Sequence, residues 1–279
     1  KSKTSFINKG VFLNDSKRFL WIGLVYLLGL LLTVPIKILM LYSQEKTFVY
    51  SYDILNNPYL RIFEFSSEHQ VLLTLVIPII TGLLLFRYLQ TSKTADMLHT
   101  LPIKRQTLYN THLLAGSMFL IVPIAITALV SLIVINATGI AYVNTGNVLT
   151  WMGISILINI FLFTTCTTIG IFTGMSSMQG VLTYILLFLP AGLAFLLLHN
   201  IRLLLNGFAY NHYNNVNIIN LSPLTRFIEI SYRPFSKTEI LIYIFIILAL
   251  YLIGRHFYKH RKLEMAGNAI TFDILCPLF

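Results

Sequence analysis

The stretch QTLYNTHLLAGSMFLIVPIAITALVSLIVINATG (Gln106–Gly139) opens a run of 96 residues, ending at Ile201, that contains no Asp, Glu, Lys or Arg. A single transmembrane helix needs only about 20 apolar residues. The run is therefore too long for one helix and predicts several spans joined by uncharged loops.

The rest of the chain continues this pattern on both sides of the uncharged run. Hydrophobic residues make up 56% of the 279 residues, charged residues 11%, and the mean hydropathy is +0.77. Soluble domains carry about 25% charged residues, which excludes an ordinary soluble fold. Long, non-alternating apolar runs favour helices over the strands of a membrane barrel. We predict an all-α integral membrane protein with six spans, at about 19–42, 70–88, 111–136, 150–174, 179–199 and 239–257.

Positive charge predicts the orientation, because cytoplasmic loops carry an excess of Lys and Arg. With the N-terminus inside, thirteen basic residues fall in cytoplasmic segments and seven in external ones. The transmembrane domain then covers residues 19–257, and both termini are cytoplasmic. Residues 1–18 are predicted to form an interfacial helix on the inner leaflet, and residues 258–279 a cytoplasmic tail.

The net charge of +10 does not require a nucleic-acid partner. The basic cluster at 255–262 directly follows the last span, where anionic inner-leaflet lipid would neutralise it. We therefore expect membrane lipid, and no nucleic acid, as its partner.

Several classes of chemistry find no support in the sequence. The middle of each predicted span lacks a formal charge, which argues against an ion-coupled transporter. No Gly-x-x-x-x-Gly-Lys motif is present, so we expect no ATP hydrolysis by this chain and no enzyme activity. Scattered histidines and two cysteines without zinc spacing predict no metal site.

Polar and proline residues mark the remaining candidates within the spans. Hydroxyl and amide side chains in the fourth span would either line a substrate pathway or pack helices together, and the sequence leaves both open. Prolines inside four spans are candidate helix hinges, because proline removes a helical hydrogen bond. The pathway or packing residues are Ser155, Asn159, Thr164 and Thr168, and the hinge candidates are Pro35, Pro78, Pro123 and Pro190.

The loop after the second span carries the most specific pattern, ADMLHTLPIKRQTLY (Ala95–Tyr109). It combines a short amphipathic turn, a proline that disfavours helix at Leu101, a basic pair and a new helix start. Its apolar side chains form a small knob with charged and polar residues around it, and such a surface is typical of a transient protein contact. The knob consists of Met97, Leu98 and Leu101, and the rim of Asp96, His99, Lys104 and Arg105. The alternative is a loop folded onto its own bundle.

This pattern resembles the first cytoplasmic loop of ABC-2-type transporter permeases, and most of all the Ytr-like permease group of Bacillus and related Firmicutes. In that family the loop lies in a groove of the ATPase subunit and transmits its closure. The resemblance also implies re-entrant extracellular helices between the fifth and sixth spans, within 200–238. It assigns coupling to Met97, Leu98, His99, Leu101, Pro102, Lys104 and Arg105.

The resemblance implies the permease subunit of an ATP-driven exporter in a bacterial plasma membrane. Two ATPase subunits would bind ATP and Mg²⁺, and a second permease chain, identical or related, would complete the path. The uncharged spans favour an amphipathic or cell-envelope-related cargo, including antimicrobial peptides. The alternative is a non-transporting sensor or scaffold of an envelope-stress or peptide-resistance complex. Longer members of the group continue past a stretch similar to 264–272, so we expect a further region after Phe279.

Overall fold

Long apolar helices account for most of the computed structural model of this chain, which describes residues 6–45, 68–91, 94, 100, 102–139, 145–205, 221–228, 230 and 234–261. Within these residues the secondary structure is helical, without strands. The helices are α1 (Lys9–Thr33), α2 (Pro35–Glu45), α3 (Glu68–Phe86), α4 (Arg105–Thr138), α5 (Thr145–Phe172), α6 (Ser176–Leu204), α7 (Pro223–Ile228) and α8 (Lys237–His260), with a 3-10 turn at Arg87–Gln90.

Six helical spans in the described part of the chain are long and apolar enough to cross a membrane. This confirms the predicted number of spans and indicates a multi-pass membrane protein. The spans are Lys9–Met40, His69–Gln90, Arg105–Thr138, Thr145–Phe172, Ser176–Leu204 and Lys237–His260.

Helix α5 occupies the centre of the bundle. It packs against α3, α4, α6 and α8, while α1 packs against α3 and α4. Of the apolar segment of α5, 78% is buried, against 11% of the segments in α6 and α8. Helices α6 and α8 therefore present most of their apolar surface outward, as expected for helices that meet lipid.

The bundle has two polar ends, which we name after a buried arginine at each. Successive spans run in opposite directions, so residues 9, 90, 105, 172, 176 and 260 gather at the Arg261 end. The Arg226 end holds α7 and the start of α8. The predicted orientation assigns the Arg261 end to the cytoplasm.

The first helix differs from the prediction, which separated an interfacial helix at 1–18 from a span beginning at residue 19. Helix α1 begins at Lys9 and continues without a break to Thr33. The side chain of Asn8 accepts hydrogen bonds from the backbone N–H groups of Gly10 and Val11, which caps the helix there. Residues 9–18 thus form the first turns of the spanning helix.

Prolines affect the spans in two ways. Pro35 lies at a break, because α1 ends at Thr33 and Pro35 is the first residue of α2. Proline fits the first helical position, where its missing N–H is not needed. Pro78, Pro123 and Pro190 lie inside α3, α4 and α6, which continue past them. The hinge function of all four remains a prediction.

Close helix packing at the core depends on glycine. A Cβ atom added to Gly116 of α4 would lie 2.2 Å from Cζ of Phe163 in α5, so the ring would have to move. A Cβ atom added to Gly153 of α5, by contrast, would have no neighbouring atom within 4 Å. The two glycines therefore make a matched pair for testing this contact.

We expect Gly116→Ala to destabilise the protein by about 1–3 kcal/mol, the usual cost of forcing extra atoms into a packed core. Gly153→Ala is expected to be neutral or to stabilise by up to about 1 kcal/mol, because alanine favours helix over glycine. Thermal unfolding of the detergent-purified variants checks both. Equal melting temperatures for the two variants would contradict the close α4–α5 contact.

Candidate functional site

The predicted coupling loop is partly described by the structure. Met97, Leu98, His99 and Leu101 lie outside the described residues, so their role stays a prediction. Pro102 and Lys104 are exposed, and Arg105 is half-buried at the first residue of α4. The candidate site is therefore built from the two stems of the loop, which are the 3-10 turn that enters it and the start of α4.

Arg105 binds the end of the last span. Its Nη1 donates to the carbonyl oxygen of Lys259 at 3.3 Å and to that of Arg261 at 2.9 Å. A cation is favoured at a helix C-terminus, where the backbone carbonyls carry partial negative charge. Arg105 therefore joins the loop to α8, whereas Lys104 keeps its side chain exposed.

Arg261, which follows α8, is buried among main-chain carbonyl groups. Its Nη1 donates to the carbonyl oxygens of Gly170 at 2.7 Å and Ile171 at 3.1 Å, in the last turn of α5. Its Nη2 donates to those of Leu89 at 2.9 Å and Thr173 at 3.1 Å. The last carbonyls of a helix lack donors within the helix. Arg261 thus caps α5 and ties it to the segment that enters the loop.

The environment of Arg261 corrects one prediction. The sequence placed it in a basic cluster at the membrane surface, but only 3% of the residue is exposed. Burial lowers the pKa of its guanidinium to about 10, so it keeps its charge at neutral pH. The described hydrogen bonds of this buried cation all end on backbone oxygens, which compensate its loss of hydration.

Aromatic side chains continue the cluster toward α1. The hydroxyl groups of Tyr88 and Tyr258 lie 2.8 Å apart, and the ring of Tyr88 packs on that of His112 with centroids 4.7 Å apart. Nδ1 of His112 is 2.5 Å from Oδ2 of Asp15, and both side chains are buried. The start of α4 is thereby joined to α1 as well as to α8.

The other stem of the loop is joined to α6. Nε2 of Gln90 donates to Oε1 of Gln179 at 2.5 Å, and the Ser176 hydroxyl donates to Oε1 of Gln90. Gln179 also donates to the carbonyl oxygen of Cys166 in α5 at 2.9 Å. Both stems are therefore anchored by side-chain hydrogen bonds to other helices. Side chains at or near the two stems thus contact α1, α5, α6 and α8.

The predicted pathway or packing residues lie along α5, in the interior of the bundle. Ser155, Asn159, Thr164 and Thr168 are all buried. Nδ2 of Asn159 donates to the carbonyl oxygen of Ser155 at 2.7 Å, and Oγ1 of Thr168 donates to that of Leu250 in α8 at 3.3 Å. Burial within one chain favours the packing alternative.

Sequence reasoning missed the buried ionisable residues. Asp15 is the single carboxylate before Glu45, and His112 is the single histidine between His99 and His199. The position of His112 in the long uncharged run was an available signal that it needs a partner, whereas Asp15 lies within the polar segment 14–18, where nothing marks it as buried. No local pattern distinguished Arg261 from Lys259, which is exposed.

Comparison of this chain with family models, with curated proteins and with solved structures found no match.

Proposed function

We propose that this chain is the membrane-spanning permease subunit of an ATP-driven exporter of the ABC-2 type. A separate pair of ATPase subunits would bind ATP and Mg²⁺ below the Arg261 end, which faces the cytoplasm of a bacterial cell. A second permease chain would complete the transport path for an amphipathic or cell-envelope-related cargo. ATP binding would move the 92–104 loop, and the anchored helices would switch access to the path.

The anchoring of both loop stems is the observation that supports this proposal. A loop that only connects two spans needs no side-chain hydrogen bonds from its ends to other helices, because short links between neighbouring helices suffice. Here Arg105 holds the end of α8, and Gln90 holds the start of α6. This arrangement would carry a push from outside the membrane into four spans.

The short helix α7 lends support at the Arg226 end. It lies between the fifth and sixth spans and packs against α6 and α3. The hydroxyl of Ser222 donates to the carbonyl oxygen of Leu187 inside α6 at 2.8 Å. Such contacts suit a re-entrant element, although residues 206–220, where a second short helix was predicted, lie outside the described residues.

The two basic loop residues differ in their surroundings, because Arg105 binds the end of α8 whereas Lys104 is exposed. This difference allows a direct test of coupling. We expect Lys104→Glu to reduce the amount of ATPase subunit that co-purifies by about tenfold, because Lys104 is exposed and available to a partner. Arg105→Gln should leave co-purification intact but lower the stimulation of ATP hydrolysis by the permease. Co-expression of the chain with its genomic neighbours, followed by purification and ATPase assays, measures both quantities.

Lys17→Glu is the matched control, because Lys17 is exposed at the same end but lies on α1, outside the loop. It should change neither quantity. If no ATPase accompanies the wild-type chain, the transporter proposal fails. If Lys104→Glu and Lys17→Glu weaken the complex equally, the coupling role of the loop fails.

The sensor or scaffold role is a second candidate. It is favoured by the burial of the polar stripe of α5, which consists of Ser155, Asn159, Thr164 and Thr168. A path between two permease chains needs polar groups on the outside of each chain, whereas Ser155 and Asn159 are enclosed within one. ATP-dependent uptake of an amphipathic fluorescent peptide into inside-out vesicles would separate the two functions. A stable ATPase complex without such uptake would favour the sensor role.

A further inference from the structure

A cavity of about 750 Å³ lies at the Arg261 end, between the first turns of α1 and the last turn of α3. This volume falls within the range of small-molecule binding sites, about 300–1,000 Å³. The polar part of its wall includes Asn14, Arg18, Arg87 and Thr91. The cavity is separate from the hydrogen bonds that anchor Arg105 and Arg261.

The charge of the cavity favours an anion. Arg18 and Arg87 both line it and are both exposed, so their guanidinium groups are available to a ligand. Asp15 is the one carboxylate among the described lining residues, and it is bonded to His112. Guanidinium groups bind phosphate through charge-assisted, often bidentate, hydrogen bonds.

A second observation concerns His112, which also lines the cavity. The residue is 3% exposed, and its Nε2 has no hydrogen-bond partner among the described residues. A buried polar atom without a partner costs about 1–3 kcal/mol, unless water or a ligand compensates it. The residues that line the cavity thus include a buried imidazole, one nitrogen of which is unpaired among the described residues, as well as two cations.

The apolar surroundings point to a ligand with a hydrocarbon part. Phe19 and Leu84 contribute to the wall. Beyond Arg18, helical spacing of three and four residues leads along one face of α1 to a stripe of exposed apolar side chains. This stripe consists of Trp21, Val25, Leu28 and Leu32. A basic cavity that continues into an apolar stripe matches an anionic head with an acyl chain.

We propose that this cavity binds an anionic phospholipid from the leaflet at the Arg261 end, with its phosphate held by Arg18 and Arg87. Its acyl chain lies along the exposed stripe of α1. The site is specific, which distinguishes it from the general attraction of basic segments to an anionic leaflet. The proposal requires the chain to span a membrane, but it does not depend on transport or on an ATPase partner.

Native mass spectrometry of the detergent-purified full chain tests the site. The probes are phosphatidylglycerol and phosphatidylcholine with the same acyl chains. We expect one tightly bound phosphatidylglycerol per chain, and an affinity for this lipid that is reduced about tenfold in Arg18→Gln/Arg87→Gln.

The control variant Lys17→Gln/Lys259→Gln removes two exposed charges from the same end, at residues that do not line the cavity. Its affinity for phosphatidylglycerol should stay within about twofold of the wild-type value. Arg18→Lys/Arg87→Lys keeps both charges, and its affinity for phosphatidylglycerol should lie between those of wild type and Arg18→Gln/Arg87→Gln.

Three results would overturn the proposal. An equal loss in both glutamine pairs would mean that the basic surface as a whole attracts the lipid. An unchanged affinity in Arg18→Gln/Arg87→Gln would exclude the cavity. Inorganic phosphate supplies the third arm: if it displaces phosphatidylglycerol at equal concentration, the site binds a free phosphate anion and the lipid assignment fails. Unchanged thermal unfolding of each variant establishes that it is folded.

Discussion

Arg261→Gln is expected to destabilise the detergent-purified protein by about 3 kcal/mol and to lower its melting temperature accordingly. Hydrogen bonds to a charged group contribute about 1.5–3 kcal/mol each, and buried acceptors left unpaired add a desolvation cost. Arg261 donates to four carbonyl oxygens, in the end of α5, the link after it and the 3-10 turn. A glutamine amide has only two N–H groups and cannot reach all of them.

Lys259→Gln is the control for this change. Lys259 is a neighbouring basic residue with an exposed side chain, and its loss should cost less than about 0.5 kcal/mol. Arg261→Lys should recover less than half of the lost stability, because an ammonium group lacks the planar fork that spans separate carbonyls. A melting temperature of Arg261→Gln equal to that of Lys259→Gln would contradict the capping role.

Loss of the Arg261 hydrogen bonds should also affect segments beyond the immediate surroundings of this residue. Its contacts join the entry to the loop, the end of the central helix and the end of the last span. Removing them would loosen the very stem that is proposed to transmit movement. We therefore expect the remaining folded fraction of Arg261→Gln to stimulate a partner ATPase less than wild type does.

The helical spans were predictable from the sequence because their signal is local. A run such as 106–201 excludes charge over several turns, and nothing but membrane helices explains such a composition at this length. The exact start of α1 was not predictable in the same way. Residues 9–18 mix polar and apolar side chains, and their helix is held by a cap at Asn8 and by the contact of Asp15 with α4.

The buried charges depend on tertiary packing, which the sequence does not display. Asp15 and His112 are 97 positions apart, and Arg261 lies 91 positions from its partner Gly170. Each pairing exists because separate helices end at the same side of the bundle. The pattern around Lys104 and Arg105 was visible, but not that Arg105 would turn to α8 while Lys104 remained exposed.

The polar stripe of α5 shows a different limit. Small hydroxyl side chains and Asn suit both helix packing and a polar path. The distinction rests on burial, which follows from the central position of α5 rather than from its own residues. Ser155 and Asn159 therefore could be singled out from the sequence, but their function could not.

Asp15→Ala is the second change with a large expected effect, a loss of about 2–3 kcal/mol. The Asp15–His112 contact at 2.5 Å joins α1 to α4, and both side chains are almost fully buried. Removing the carboxylate leaves the buried imidazole with neither ring nitrogen paired within the described residues. The penalty for such an unpaired group usually exceeds the net value of the hydrogen bond itself.

A comparison of Asp15→Asn with Asp15→Ala separates hydrogen bonding from charge. Asparagine keeps an oxygen that accepts a hydrogen bond from Nδ1–H of His112 at similar size. If the bond to a neutral imidazole holds α1 in place, Asn should recover most of the stability that Ala loses in thermal unfolding. If Asn is as damaging as Ala, the pair is ionic, and His112→Phe in the Asp15→Ala background should then restore stability, because it removes the unpaired buried imidazole. Wild-type stability in Asp15→Ala would show that the contact does not join α1 to α4.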